Sequence, residues 1–250
     1  MTSKRYNIKS RIYFDYAATT PLDPSVIRAM NRCNKTIFGN PSSVHWCGQQ
    51  ASAAVFQARQ RIAQAIGAQY QNIIFTGSAT EANNLALRGV VKQFLNQVSR
   101  IKYQGIKNNA LIPNTKYLLP RIIISAIEHE SVLETARDLE QGGIEIVVIP
   151  VSKEGIINVA ALKRALDERT ILISVMSANN EIGTIQPIAE IAKIIRNFRE
   201  LRIRNSAFAK DMADRQELWK IKKESKTIIH NSKFMIQYPL FHTDAVQAFQ

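Results

Sequence analysis

The stretch "RIIISAIEHESVLETARDLEQGG", residues 121–143, decides the fold. It opens with three consecutive isoleucines, passes through a polar turn, and continues as a helical pattern up to a pair of glycines. The apolar run "IEIVVIPV" follows directly and is typical of another buried strand. Strand, helix and strand in this order predict a parallel pair of strands joined by a crossover helix.

The same alternation extends towards the N-terminus. A strand, a small-residue turn and a helix are predicted by "NIIFTGSATEANNLALRGVVKQFL". A helix that ends at Gly67 is predicted by "ASAAVFQARQRIAQAIG", and a loop by "FGNPSSVHWCGQ". A short strand, a turn and a helix that begins after Asp23 are predicted by "IYFDYAATTPLDPSVIRAM".

The alternation also extends towards the C-terminus. A helix is predicted by "NVAALKRALDERT", and a strand, a polar loop and a helix by "ILISVMSANNEIGTIQPIAEIAKIIRNF". The last apolar segment is "FMIQYPLFHTDAVQAF". We therefore expect an α/β fold with a parallel or mixed sheet that helices cover on both faces.

Two segments, 97–119 and 202–238, break this alternation and resemble insertions, the second with a plausible helix, "FAKDMADRQELWKIKKES". Most of the basic character lies nearby. The net charge is +13, and residues 88–127 and 196–233 together account for all of it. A solvated basic surface is the plainer interpretation, and contact with RNA or an acidic partner stays open.

The composition also bears on location. No apolar run approaches the roughly 18 residues that span a bilayer, and the basic N-terminus leads into no apolar signal region. Cys33 and Cys47 lack the spacing of a disulfide framework or a zinc site, so we expect ordinary small apolar residues in a reducing, cytoplasmic setting.

Polar residues collect where the predicted strands end. The segments that follow the strands are "TGSATEANN", "AIEHES", "SANNEIG" and "HTDAVQ". Ligands of open α/β sheets bind beyond the carboxyl ends of the strands, so these segments predict a polar site.

Three features of that site carry chemistry. The turn before Thr80 opens a helix and suits a phosphate, although Ser78 and Thr80 are equally good helix caps, and no Walker or GxGxxG motif is present. His129 is either a structural residue or an imidazole that stacks on a ligand or moves a proton. Asp244 is costly to bury without a cationic partner. Phosphate seat, imidazole and carboxylate together suggest pyridoxal 5′-phosphate, whose protonated ring nitrogen supplies the cation.

At these residues the chain resembles the cysteine desulfurases, class V of the fold-type-I pyridoxal-phosphate enzymes. The resemblance rests on "YFDYAATTPLDPSV", "FGNPSSVH", "IIFTGSATEANNLAL", "EHESVLET", "SANNEIGTIQPI" and "HTDAVQAF", in this order. It implies a three-layer αβα large domain and a homodimer. It also implies conversion of L-cysteine to L-alanine, with the sulfur passing to an enzyme cysteine for iron–sulfur cluster assembly or tRNA thiolation.

The resemblance also implies roles for individual residues. Ala79 and Thr80 would hold the cofactor phosphate, and His129 would stack on the pyridine ring and assist proton transfer. Asn180 would lie near the ring hydroxyl and the substrate carboxylate. Asp244 would pair with the pyridinium nitrogen, and Gln247 would hydrogen-bond the ring hydroxyl.

Other family features find no match between residues 1 and 250. These are the Schiff-base lysine, the sulfur-accepting cysteine, the arginine that binds the substrate carboxylate, and the small C-terminal domain. We therefore expect a partial large domain, incomplete at its C-terminus, with a sheet open in its middle and no activity on its own. The alternatives are an N-terminal piece from a split or truncated desulfurase gene or an incompletely assembled reading frame, with a complementing C-terminal chain as a partner, a non-catalytic protein that binds a partner desulfurase or an acidic surface, and a fragment of another class V enzyme such as selenocysteine lyase.

Overall fold

The computed structural model describes residues 12–107, 119–215 and 238–247. The helices and strands, in chain order, are α1 (Pro24–Thr36), α2 (Trp46–Ala65), α3 (Ala79–Lys107), β1 (Arg121–Ser125), α4 (Glu130–Gln141), β2 (Glu145–Ile149), α5 (Val159–Ala165), β3 (Thr170–Ser174), α6 (Ile188–Arg215) and β4 (Leu240–His242), with a 3₁₀ turn at Tyr70–Asn72. The chain divides into two compact units, Met1–Gly77 and Ser78–Gln250.

The first unit contains α1, α2 and the 3₁₀ turn. Asp23 caps α1 by accepting a hydrogen bond from the Ser25 backbone N–H at 2.7 Å, which confirms the predicted start of this helix. Gly67 follows α2 with a φ of 65°, as expected for a glycine that ends a helix. The predicted loop at 38–49 is wrong in its last part, since His45 caps a helix that already begins at Trp46.

Two strands predicted for this unit are not formed. Residues 12–15 and 73–76 have no strand assignment, and neither segment pairs with a strand in the described part of the chain. Their apolar side chains stay largely exposed: Phe14 is 89% and Ile74 69% exposed. An apolar run becomes a strand only when another strand satisfies its backbone hydrogen bonds, and local sequence cannot supply that partner.

The second unit is built on a sheet of four strands, which are parallel and ordered β2-β1-β3-β4. From β1 the chain moves outwards to β2 and then returns past β1 to β3. Because crossover connections are right-handed, this reversal places α4 and α5 on opposite faces of the sheet. The point of reversal, between β1 and β3, is where α/β sheets form a crevice for ligands.

Alternate side chains of β1 enter two separate cores. Ile122 and Ile124 pack with Leu87 of α3 and Val132 of α4, whereas Ile123 packs on the other face with helices α5 and α6. The predicted three-layer αβα arrangement is therefore confirmed. All five residues of β3 are buried, as the apolar run predicts, but β2 lies at an edge of the sheet and leaves Val148 53% exposed.

The helices α3 and α6 continue into the segments that resemble insertions, as far as Lys107 and Arg215. Residues 108–118 and 216–237, including most of the helix predicted at 208–225, lie outside the described residues. Within the described part of the chain, no helix is long and apolar enough to cross a membrane.

Candidate functional site

The carboxyl ends of β1, β3 and β4 bring together polar side chains that are far apart in sequence. Glu128 and His129 follow β1, Asn179 and Asn180 follow β3, and Asp244 follows β4. Backbone hydrogen bonds extend the β3–β4 pairing beyond the strands, since Ser177 N–H donates to the Asp244 carbonyl at 2.8 Å. The strand ends thus hold three of the predicted site residues, His129, Asn180 and Asp244, on one edge of the sheet.

Glu128 joins the ends of β1 and β3. Its carboxylate accepts the Met176 backbone N–H at 2.7 Å and lies 3.3 Å from the Ser174 hydroxyl, which is 2.9 Å from His242 Nδ1. The pKa of Glu128 is raised to about 7, mainly by burial and to a lesser extent by the nearby charge of Asp244, against the two hydrogen bonds that lower it. Burial also lowers the pKa of His242, an effect that the charge of Asp244 opposes.

Asp244 connects to His129 through two intervening side chains. The Asn83 amide nitrogen donates to Asp244 Oδ2 at 2.9 Å and to Ser131 Oγ at 2.9 Å. Ser131 Oγ lies 2.8 Å from His129 Nδ1, which also accepts the Ser131 backbone N–H at 3.1 Å. The second carboxylate oxygen of Asp244 accepts the Val246 N–H at 3.0 Å.

The predicted phosphate seat lies at the start of α3. Ser78 acts as its cap, because its hydroxyl accepts the Glu81 N–H at 3.1 Å. Ala79 and Thr80 form the first turn, where backbone N–H groups have no partner within the helix, and both residues are exposed. The two interpretations of this turn are therefore compatible: Ser78 caps the helix, and the positive end of α3 faces outwards.

Asn180 and Gln247 lie in loops that the strand ends position. Asn180 is half-buried beside Asn179, whose amide donates to the Ile127 carbonyl at 3.0 Å and ties this loop to the one that holds His129. Gln247 is half-buried in the turn that Asp244 caps.

Sequence reasoning missed Asn83, Glu128, Ser131 and His242. Asn83 follows Thr80 and Ala79 by three and four residues, so it lies on the same face of α3 one turn away, a spacing that is readable in advance. Its contact with Asp244 spans 161 positions, and no local pattern indicates it.

The site suits a ligand with a cation at one end and an anion at the other. Asp244 accepts hydrogen bonds from neutral groups, and no ion pair with Lys or Arg involves Asp244 or Glu128 in residues 12–107, 119–215 and 238–247. The start of α3 offers the opposite polarity. These donors and acceptors fit the ring nitrogen and the phosphate of pyridoxal phosphate.

This fold and site define the large domain of the fold-type-I pyridoxal-phosphate-dependent transferases. Solved structures agree: a NifS-like protein aligns with a TM-score of 0.64 and 33% identity over 75% of this chain and 46% of its own. DndA from Streptomyces lividans aligns with a TM-score of 0.56 and 34% identity over 74% and 46% of the two chains. The sequence profile described as aminotransferase class-V matches residues 12–116 and 114–204. The chain belongs to the class V aminotransferase family, whose members depend on pyridoxal phosphate.

Within this family, the chain is similar to curated proteins named as cysteine desulfurases. The chain is 44% identical over 191 residues to "Cysteine desulfurase IscS" of Dictyoglomus turgidum, covering 76% of this chain and 43% of that protein. It is 45% identical over 197 residues to the protein of the same name in Rickettsia akari, covering 78% and 43%. The chain thus spans less than half the length of these relatives.

Proposed function

We propose that residues 78–250 bind pyridoxal 5′-phosphate as part of a cysteine desulfurase that acts on L-cysteine. One observation carries the proposal: Glu128 and Asp244 share the carboxyl end of the sheet without a Lys or Arg ion pair in the described chain, so a cationic ligand is favoured there. The identity to two desulfurases supports the choice of cofactor and substrate.

Each residue has one task in this proposal. Asp244 keeps the ring nitrogen protonated, and the first-turn N–H groups at Ala79 and Thr80 bind the phosphate. His129 covers the ring and exchanges a proton at Nε2. Asn180 and Gln247 orient the ring hydroxyl. When bound, the cofactor supplies an electron sink for carbanion chemistry.

We expect binding rather than turnover from these residues alone. The described cluster brings together no lysine and no cysteine, whereas sulfur transfer requires a nucleophile. The homodimer, a complementing second chain, the delivery of sulfur for iron–sulfur clusters or tRNA thiolation, and a cytoplasmic location stay predictions, as do the alternatives of a non-catalytic binding protein and another class V activity.

A nucleic-acid partner for the basic segments stays open, although three of their arginines have partners within the described chain. Arg199 and Arg202 donate to the Pro239 and Tyr238 carbonyls, and Arg88 pairs with Asp138. These three arginines are thus engaged with other residues of the chain.

Calorimetric titration with pyridoxamine 5′-phosphate tests the proposal. This probe carries the ring and the phosphate but no aldehyde, so it cannot form Schiff bases with surface lysines. We expect Asp244→Asn to weaken its binding at least about ten-fold, equivalent to about 1.4 kcal/mol. The control, Asp138→Asn, removes an exposed carboxylate and should bind normally. Equal affinity for the wild type and Asp244→Asn, or no preference over pyridoxamine, would overturn the proposal.

A further inference from the structure

The hydrogen bonds between Asp244 and His129 have a fixed direction. An amide nitrogen can only donate, and the Asn83 nitrogen donates one hydrogen to Asp244 Oδ2 and the other to Ser131 Oγ. The opposite orientation would place the amide oxygen against the carboxylate of Asp244. The ionised carboxylate therefore selects the orientation of this buried amide, which is 4% exposed.

The orientation of Asn83 then fixes the hydroxyl of Ser131. This hydroxyl accepts from Asn83, so its single hydrogen must go elsewhere, and His129 Nδ1 lies 2.8 Å from the hydroxyl oxygen. The Ser131 backbone N–H also donates to Nδ1. With two donors directed at Nδ1, that nitrogen is the acceptor, and the proton of the neutral imidazole lies on Nε2.

We propose that Asn83 is a positioning residue that transmits the charge of Asp244 to His129 and holds the ring in its Nε2–H tautomer. The inference deepens the proposed function, because it assigns the means by which the residue that binds the ring nitrogen sets the proton position of the imidazole. It concerns the protein without cofactor and can therefore be tested separately.

Neutralising Asp244 should reverse the donor and acceptor roles in the hydrogen bonds that link Asp244 to His129. In Asp244→Asn the new amide oxygen still accepts the Val246 N–H, and its nitrogen faces Asn83. The Asn83 amide then turns over and offers its oxygen to the new amide and to Ser131. The Ser131 hydroxyl donates to Asn83 instead of His129, although Asp244 and His129 do not touch.

The test is long-range ¹H–¹⁵N NMR of histidine-labelled protein, recorded in the alkaline range where the imidazole signals no longer change with pH. In the wild type, His129 Nδ1 should give the unprotonated signal and Nε2 the protonated one. In Asp244→Asn the tautomer ratio should move about five-fold towards Nδ1–H, the change expected when one neutral hydrogen bond is lost.

A further variant removes the side-chain donor to His129 Nδ1 directly. In Ser131→Ala the hydroxyl is absent, so the His129 tautomer ratio should move towards Nδ1–H, by less than in Asp244→Asn because no oxygen remains to accept a hydrogen from Nδ1. The control is Asn84→Asp, since the amide of Asn84 bonds Thr80 and Arg88 rather than this cluster. Its His129 spectrum should match the wild type.

Two results would overturn the inference: a wild-type His129 protonated on Nδ1, or an Asp244→Asn spectrum identical to the wild type while Ser131→Ala shifts. If the wild-type protein does not bind pyridoxamine 5′-phosphate while the tautomer shifts occur as expected, the proposed function is refuted and this inference stands.

Discussion

The two ends of the sheet hold their charged groups in opposite ways. At the amino end, Arg121 lies 2.6 Å from Glu145 and 2.9 Å from Asp167, and Arg169 contacts the same two carboxylates at 2.7 and 3.0 Å. Burial would raise the pKa of Asp167, but the hydrogen bond from Arg169 and the charge of Arg121 lower it below its ordinary value. Two cations thus neutralise two anions.

At the carboxyl end, Glu128 and Asp244 share no such cation in the described residues, and the pKa of Glu128 rises to about 7. The difference indicates separate tasks. The amino end uses ion pairs to hold three strand starts together, whereas in the described residues the carboxyl end has carboxylates without a Lys or Arg partner, which a cationic ligand can use.

The largest expected effect lies at the amino end. Arg121→Met removes a cation that is only 14% exposed and leaves Glu145 and Asp167 to share Arg169. We expect a loss of about 3 kcal/mol in the free energy of unfolding, because carboxylates lose their partner in a partly buried place. Urea unfolding measures it.

The matched control is Arg137→Met on the exposed face of α4, where the side chain is 60% exposed and pairs with Glu134. Exposed pairs contribute little, so this change should stay within about 0.5 kcal/mol. If the two variants lose equal stability, the ion pairs of Arg121 stabilise the fold no more than an exposed ion pair does.

The second effect is a pH dependence at the carboxyl end. The folded pKa of Glu128, about 7, lies above its ordinary value of 4.5. Between these values the folded protein keeps a proton that the unfolded chain has released. The contribution of Glu128 to stability is therefore fully present below pH 4.5, falls as the pH rises, and is lost by about pH 7. At about 1.4 kcal/mol per pH unit, the shift amounts to about 3 kcal/mol in all.

Glu128→Gln should abolish this contribution, because glutamine does not titrate. The variant should keep the local structure, since glutamine still accepts the Met176 N–H and can donate to Ser174. Unfolding free energies of both proteins across the window measure it. Burial lowers the pKa of His242, so the contribution of this residue to protein stability falls as the pH falls. Both proteins contain His242, so subtracting their unfolding free energies removes this contribution. Parallel curves would show that Glu128 is not the titrating group.

Local sequence patterns predicted the features that depend on neighbouring residues, but not those that depend on residues far apart in the chain. The apolar runs of β1 and β3 and the polar residues after them predict the three layers and the edge where the site lies, since these are local patterns. The strand expected at 73–76 is wrong because its formation depends on a distant partner. The roles of Asn83 and Glu128 were missed because they arise from contacts with Asp244 and Ser174, which only the folded chain provides.

Asp244→Asn should change the stability of the protein least. Asp244→Asn removes a charge that raises the pKa of Glu128, and the turnover of Asn83 keeps every hydrogen bond of the cluster except the one to His129. Its unfolding free energy should therefore change by less than about 1 kcal/mol. The pH dependence due to Glu128 should shift towards lower pH, since the opposing carboxylate is gone.

Chemical unfolding of Asp244→Asn beside Arg121→Met, with Asp138→Asn as the exposed-carboxylate control, measures both points. A loss as large as that of Arg121→Met would mean that the carboxyl end stabilises the fold in the same way as the amino end. A nearly unchanged stability together with weakened binding of pyridoxamine 5′-phosphate would instead assign Asp244 to the ligand, because only an acceptor that the fold does not require can be neutralised without structural cost.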